Sequence, residues 1–277
     1  MKIPNLKVLV FSFLLLKSIT AYPEGYSSGR GGRERAMANA SATLTGPFAT
    51  FNNQAFLSGT TAFQIGIEYA QPWMISNYRV ATGAAVFPLP GIVAGLSLCQ
   101  NAIPGFSETR YGFALAKALG RRFSAGMQFS YFTIGFPESG KTKGTLIYEA
   151  GIGFTPNPNV ALGLHLFNPF NSHIEGLSLQ NDIPMAIGFG CSFLLGDGLT
   201  VATQIDDADG LPVVVRLGLE YLVVKGFFIR GGISARPFRH SAGLGYQREN
   251  WSLDFAMIHH ESLGYSPSVS FIFKLKK

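Results

Sequence analysis

From residue 60 to its last residue the chain alternates bulky apolar residues with small or polar ones at a period of two. Over 63–69 one face takes Phe63, Ile65, Ile67 and Tyr69, while the other takes Gln64, Gly66 and Glu68. Successive strand residues point to opposite sides, so each such run predicts a β-strand with two unlike faces. The pattern returns over 124–131, 146–154 and 213–221, and ends with Val269, Phe271 and Phe273. Nearly every run repeats it, and the less bulky face carries glycine and ionisable residues. That combination predicts a sheet closed on itself, with its apolar side toward lipid.

The connections between runs carry a second regularity. Tight turn chemistry stands at Pro90-Gly91 (the end of 88–91), Gly120-Arg121, Asn157-Pro158-Asn159, Gly196-Asp197-Gly198, Lys225-Gly226 and Glu249-Asn250. The alternate connections read as longer loops over 71–77, 100–107, 135–144, 168–182, 206–210, 236–240 and 259–267. Short turns on one rim and long loops on the other are expected of an outer-membrane barrel. The runs give about fourteen strands, an even number that puts both termini at the periplasmic rim. Aromatics near the run ends, such as Trp73, Tyr78, Tyr131, Phe136, Tyr221, Phe227 and Trp251, suit the two membrane interfaces.

Composition agrees. Of the 277 residues 47% are hydrophobic and only 14% charged, yet after the N-terminus no run is long enough for a membrane helix, which needs about 20 apolar residues. Residues 1–21 read as an export signal, with Lys2 and Lys7 before an apolar core at 8–16 and the small Ala21 at the cleavage point. Residues 22–59 do not alternate. They are rich in Gly, Ala, Ser, Thr and Asn, with one short helix expected over 33–42, stopped by Gly46 and Pro47. We therefore expect a plug at 22–59 and a barrel at 60–277. The net charge of +6 lies partly in Lys2, Lys7, Lys274, Lys276 and Lys277, and no nucleic-acid partner is expected. Cys99 and Cys191 fall on opposite faces of different strands, which predicts two free thiols.

Several motifs look like chemistry and fail on context. Residues 135–142 spell a P-loop, but Gly144 leads into a strand where a nucleotide site needs a helix. Residues 25–29 match a nucleophile elbow within a Gly/Ser stretch near the signal cleavage point, not between a buried strand and a helix. Asp206, Asp207 and Asp209 before Gly210 resemble part of a calcium loop, but Ile205 and Arg216 replace needed carboxylates, so an exposed turn is expected. His259 and His260 are adjacent, point opposite ways on a strand, and read as loop residues. No catalytic residue, cofactor or metal is expected.

The inward face carries Glu68, Arg110, Glu149, His165, Arg216, Glu220, Arg230 and Asp254. Facing lipid, each charge would cost roughly 2–4 kcal/mol near the midplane for Arg and less for an acid. They are expected to pair with one another and with Arg30, Arg33, Glu34 and Arg35, because their signs alternate instead of forming a ring of one charge. Inward glycines such as Gly66, Gly112, Gly151, Gly163, Gly188, Gly218 and Gly245 leave room for the N-terminal segment.

The stretch GRGGRERAMANASATLTGPFATFNNQAFLSG resembles the N-terminal signature of FadL-type outer-membrane proteins and their Bacteroidetes relatives PorV and PorQ. Arg33, Met37, Ala38 and Ala40 match the family's small-residue helix, and Asn53, Ala55 and Leu57 match its Asn-Pro-Ala element, with Gln54 where Pro is usual. The resemblance implies a fourteen-stranded barrel with an N-terminal plug. In one branch such barrels carry hydrophobic compounds through a lateral opening; in the other they serve type IX secretion, holding cargo or helping its attachment. The secretion branch is our first expectation, with secretion-system proteins or secreted cargo as partners at Asn168, Phe170, His173 and Glu175. The alternative is transport of a hydrophobic ligand along an apolar path past Phe132 and Phe228. Either way Arg33, Arg35, Asn53, Glu68, Arg110, Glu149, Arg216, Glu220 and Arg230 are the candidate plug and lumen residues, and outer-membrane lipid surrounds the wall.

Overall fold

The computed structural model describes residues 30–136, 140–174 and 183–275. The expected signal at 1–21, residues 22–29, the motif at 25–29 and Glu175 lie outside the described residues.

Fourteen strands close into one antiparallel barrel. In chain order they are β1 (Phe63–Ala70), β2 (Arg79–Leu89), β3 (Ile92–Ile103), β4 (Phe106–Leu119), β5 (Phe123–Phe136), β6 (Lys141–Asn157) and β7 (Val160–Phe167). The remainder are β8 (Ala186–Leu195), β9 (Leu199–Ala208), β10 (Val214–Val224), β11 (Phe227–Ser234), β12 (Arg239–Gln247), β13 (Trp251–His260) and β14 (Gly264–Leu275). Each pairs with its sequence neighbours, and β1 meets β14 from Phe63 opposite Leu275 to Ala70 opposite Ser268. Closure removes both sheet edges, so no backbone ladder is left unpaired toward an apolar solvent. The start of β1 and the end of β14 therefore lie on one rim, called here the near rim.

The two faces follow the alternation. On β1, Ile65, Ile67 and Tyr69 are exposed outward while Gly66, Glu68 and Ala70 are buried inward. Leu96, Phe113, Phe129, Leu217, Leu244 and Phe255 continue the exposed apolar belt around the wall. An apolar surface of this extent belongs against hydrocarbon.

The tight turns expected from the sequence all fall on the near rim. The far rim differs from its sequence reading, because most of the expected loops are strand. Only Pro104-Gly105 joins β3 to β4, and Glu261-Ser262-Leu263 joins β13 to β14. His259 and His260 end β13, correcting their assignment to a loop. Asp206 is likewise buried within β9, not part of an exposed turn. The long connections that remain are 71–78, holding a 3-10 turn at Pro72–Met74, and the chain between β7 and β8. The wall is also uneven in height. Among the described residues, 141–147 of β6 pair with β5 alone, since the ladder with β7 begins at Glu149 opposite Phe167 and the Asn168 amide donates to the Tyr148 carbonyl at 2.9 Å.

Inside the barrel lies the N-terminal segment. The first helix among its described residues, α1, spans only Gly32–Ala36, shorter than the expected 33–42. Ala38 and Asn39 adopt left-handed backbone (φ 54° and 60°) and turn the chain, which lets the Ala38 N–H reach Ser241 Oγ at 2.9 Å. A second helix, α2 (Ala49–Asn52), and a 3-10 turn at Gln54–Gly59 complete the plug, and nearly all of its residues are buried.

Candidate functional site: the plugged lumen

The plug sits against the wall only because the wall omits side chains beneath it. A Cβ on Gly126 would fall 2.5 Å from the Gln54 carbonyl carbon and 2.6 Å from the Ala55 nitrogen. On Gly218 it would fall 2.6 Å from the Met37 oxygen, and on Gly232 2.7 Å from the Ala38 nitrogen. Gly163 faces the Ala42 oxygen and Gly151 the Asn53 amide at still closer range. These glycines lie on β5, β6, β7, β10 and β11, so the bare track follows the plug around the lumen. Gly151, Gly163 and Gly218 are among the inward glycines expected to leave room for this segment; the turn at 38–39 has no local sequence pattern.

Ionic nodes then lock the plug to the track. Arg33 of α1 grips Glu220 with Nε to Oε2 at 2.8 Å and Nη2 to Oε1 at 2.6 Å. Glu220 also accepts from Arg230 Nε at 2.6 Å, and Arg230 Nη1 donates to Asp254 at 2.7 Å. Arg35 Nε donates to Glu68 at 2.5 Å. Arg216 holds Asp206 at 2.6 Å and reaches the Ala38 carbonyl at 3.4 Å, while Gln204 Oε1 accepts from the Ser41 and Ala42 amides at 2.8 Å. Asn53 Nδ2 donates to the Ala42 carbonyl at 2.9 Å, tying two turns of the plug together.

A further node stands at Glu149. Its carboxylate accepts from Arg110, from Ser130 Oγ at 3.0 Å, from Gln128 at 2.9 Å and from the plug's Gln54 at 3.1 Å. His165 Nε2 lies 3.3 Å away but off the hydrogen-bond direction, since that nitrogen has no hydrogen-bond partner among the described residues. The Arg110 guanidinium lies over the rings of Phe51 and Phe167 at 5.5 and 5.3 Å. Buried pairs of this kind fix geometry more than they add stability, and deleting one partner typically costs about 3–5 kcal/mol.

Above Glu149 the lumen changes character. Phe132, Ile134, Ile147, Phe167, Ile183 and Ala186 form a buried apolar cluster, joined by Phe106, Phe136, Ile174 and Ala208. It lies at the far-rim end of β4–β9, beside the low wall where β6 outreaches β7. Asn168 ties this corner: it is fully buried, its Nδ2 donates to the Ile183 carbonyl at 2.7 Å and the Ser172 carbonyl at 3.1 Å, and its Oδ1 accepts from Ser172 N at 2.8 Å. Phe170 is 74% exposed and packs edge-on against Tyr148, while His173 is exposed beside it.

Below the plug lies a polar chamber of about 270 Å³, bounded by Arg33, Glu34, Thr60, Gln64, Asp254 and Lys274 among others. Glu34 Oε2, Thr60 Oγ1 and Gln64 Oε1 have no hydrogen-bond partner among the described residues. Burial pushes the Glu34 carboxyl up to about 8, against the pull of neighbouring Arg33. Phe228 lies at this end, so Phe132 and Phe228 are separated by the plug and its charges. The expected apolar path does not continue straight through the lumen.

The P-loop-like residues Gly135 and Phe136 end β5, and Lys141 and Thr142 begin β6, so no helix follows them; 137–139 lie outside the described residues. Cys99 and Cys191 are free, as expected.

Several solved structures share this fold. The CymD monoaromatic hydrocarbon channel superposes with a TM-score of 0.73 at 12% identity, covering 90% of this chain and 98% of that one. A mutant of the TodX monoaromatic hydrocarbon channel gives 0.70 at 12% identity, covering 89% and 98%. A Pseudomonas aeruginosa FadL homologue gives 0.63 at 13%, covering 90% and 97%. At these identities the likeness is one of fold. No family model matches the chain, and the search of curated proteins found no match.

Proposed function

We propose that this chain is a non-enzymatic, integral outer-membrane channel for small hydrophobic molecules, with the near rim in the periplasm. The observation that carries the reading is the lumen-facing apolar cluster around Phe132 and Phe167, seated beside the low wall between β6 and β7 and above a charged, locked plug. An apolar solute gains about 25 cal/mol for each Å² it withdraws from water into such a cluster. It loses that gain on meeting the Arg110–Glu149 node, so its favourable exit is sideways into the bilayer. The hydrocarbon channels that share this fold support the same reading.

The residues do this work by exclusion and position. Phe132, Ile147 and Phe167 receive the solute; Arg110, held by Glu149, forms a floor that water and ions do not cross; Asn168 fixes the height of the wall. Docking of secreted cargo gains no support, because most far-rim connections among the described residues are short turns that offer little surface.

The test is accumulation of a labelled monoaromatic hydrocarbon by cells expressing the chain. Phe132→Gln and Phe167→Gln are expected to cut the initial rate several-fold while heat-modifiable gel migration still reports a folded barrel. Unchanged uptake in both variants would remove the reading.

A further inference from the structure

A cavity of about 930 Å³ opens on the near rim between the ends of β10–β13, and nothing in the uptake route uses it. Its walls include Leu222, Lys225, Phe228, Tyr246, Arg248 and Trp251. Leu222 and Phe228 belong to the inward face of their strands, whereas Tyr246 and Trp251 belong to the outward face, so the cavity straddles the rim. One side of it meets the lumen and the other meets the bilayer surface.

The chemistry of the walls is that of a head group attached to an apolar body. Tyr246 and Trp251 pack with ring centroids 5.6 Å apart, and Trp251 continues onto Phe271 at 6.2 Å, an aromatic girdle of the interfacial kind. Arg248 lies over the Tyr246 ring at 5.8 Å and donates Nε to its hydroxyl at 2.9 Å. This fixes the guanidinium and commits one of its five donors. Lys225, exposed in the adjoining turn, has no ion-pair partner among the described residues. Glu249 stands in the same wall, so these three side chains leave one net positive charge. A volume of this order suits a ligand-sized guest, and a basic, aromatic-edged pocket at the membrane surface suits an anionic lipid head.

We propose that the near-rim cavity binds an anionic phospholipid of the periplasmic leaflet, its phosphodiester between Lys225 and Arg248 and its upper acyl chain against Phe228 and Trp251. The proposal rests on the membrane placement given above, but not on uptake.

The chain has two tryptophans, and Trp73→Phe leaves Trp251 as the only one, a reporter inside the cavity. Folded protein carrying that change is titrated in mixed micelles with dibrominated phosphatidylglycerol, dibrominated phosphatidylcholine or dibromostearate, and quenching is read. Phosphatidylglycerol is expected to half-quench at a roughly tenfold lower mole fraction than phosphatidylcholine, and adding Lys225→Gln with Arg248→Gln is expected to abolish the difference. Equal quenching by the two phospholipids, or a preference that survives the double change, overturns the proposal. Stronger quenching by dibromostearate overturns it in favour of a free carboxylate. Loss of hydrocarbon uptake with the lipid preference intact sinks only the channel reading, so the two failures are distinguishable.

Discussion

Gly126→Ala adds a single methyl group where the wall touches the plug. Its Cβ would lie 2.5 Å from the Gln54 carbonyl carbon and 2.6 Å from the Ala55 nitrogen, both backbone atoms that no rotamer change can move aside. Ordinary contact begins near 3.4 Å, so the 54–55 backbone must retreat by roughly 1 Å, an overpacking that costs about 1–3 kcal/mol. The same retreat stretches the 3.1 Å bond from Gln54 to Glu149, adding about 1 kcal/mol. At about 1.4 kcal/mol per factor of ten, the population with a displaced plug rises roughly thirtyfold to several-hundredfold. Planar-bilayer conductance then rises, and Gly83→Ala serves as the control, because its Cβ meets nothing within 4 Å. Matching conductance and urea stability in the two variants would refute the idea that glycines seat the plug.

Other consequences are as direct. Glu34 holds its proton in the folded plug up to about pH 8, whereas the free carboxyl loses it near 4.5. Stability from this group is therefore complete below about pH 4.5 and lost as pH rises toward 8, at up to about 1.4 kcal/mol per pH unit. Proteolytic release of the plug should accelerate across that window, and Glu34→Gln should flatten the profile. Arg110→Ala leaves the Glu149 carboxylate buried without its cation, so a loss of about 3–5 kcal/mol is expected in urea titration; replacing Glu149 with Gln as well should recover part of it. Asn168→Ala removes the hydrogen bonds to Ile183 and Ser172, and faster hydrogen exchange at the backbone amides of Asn171 and Ser172 is the readout. An unchanged rate there would show that Asn168 is not the tie.

The barrel was legible because lipid imposes a period of two on every strand it touches. Where strands rise past the apolar band that demand lapses, which is why 100–107 and 259–267 read as loops. There Asn101 donates to Glu108 at 3.1 Å across two paired strands, a polar pairing with no signature in either strand alone. Mixed inward charges pointed to internal pairing, but which charge meets which was not readable: Arg33 and Glu220 stand 187 residues apart. The early end of α1 was hidden for a different reason. Ala38 is a good helix former, and its left-handed turn is accompanied by bonds that come from distant strands, its N–H to Ser241 at 2.9 Å and its carbonyl from Arg216 at 3.4 Å.

The Gly32 amide donates to Ser270 on β14 at 3.0 Å, and Arg35 is held by Glu68 on β1, the two strands that seal the barrel. The first described residues of the chain are thus fastened to both sides of the last seam. Such a plug cannot complete its contacts until the final strand arrives. The seating of α1 consequently depends on the seal between β1 and β14, so lesions at the seam will surface as defects in the plug.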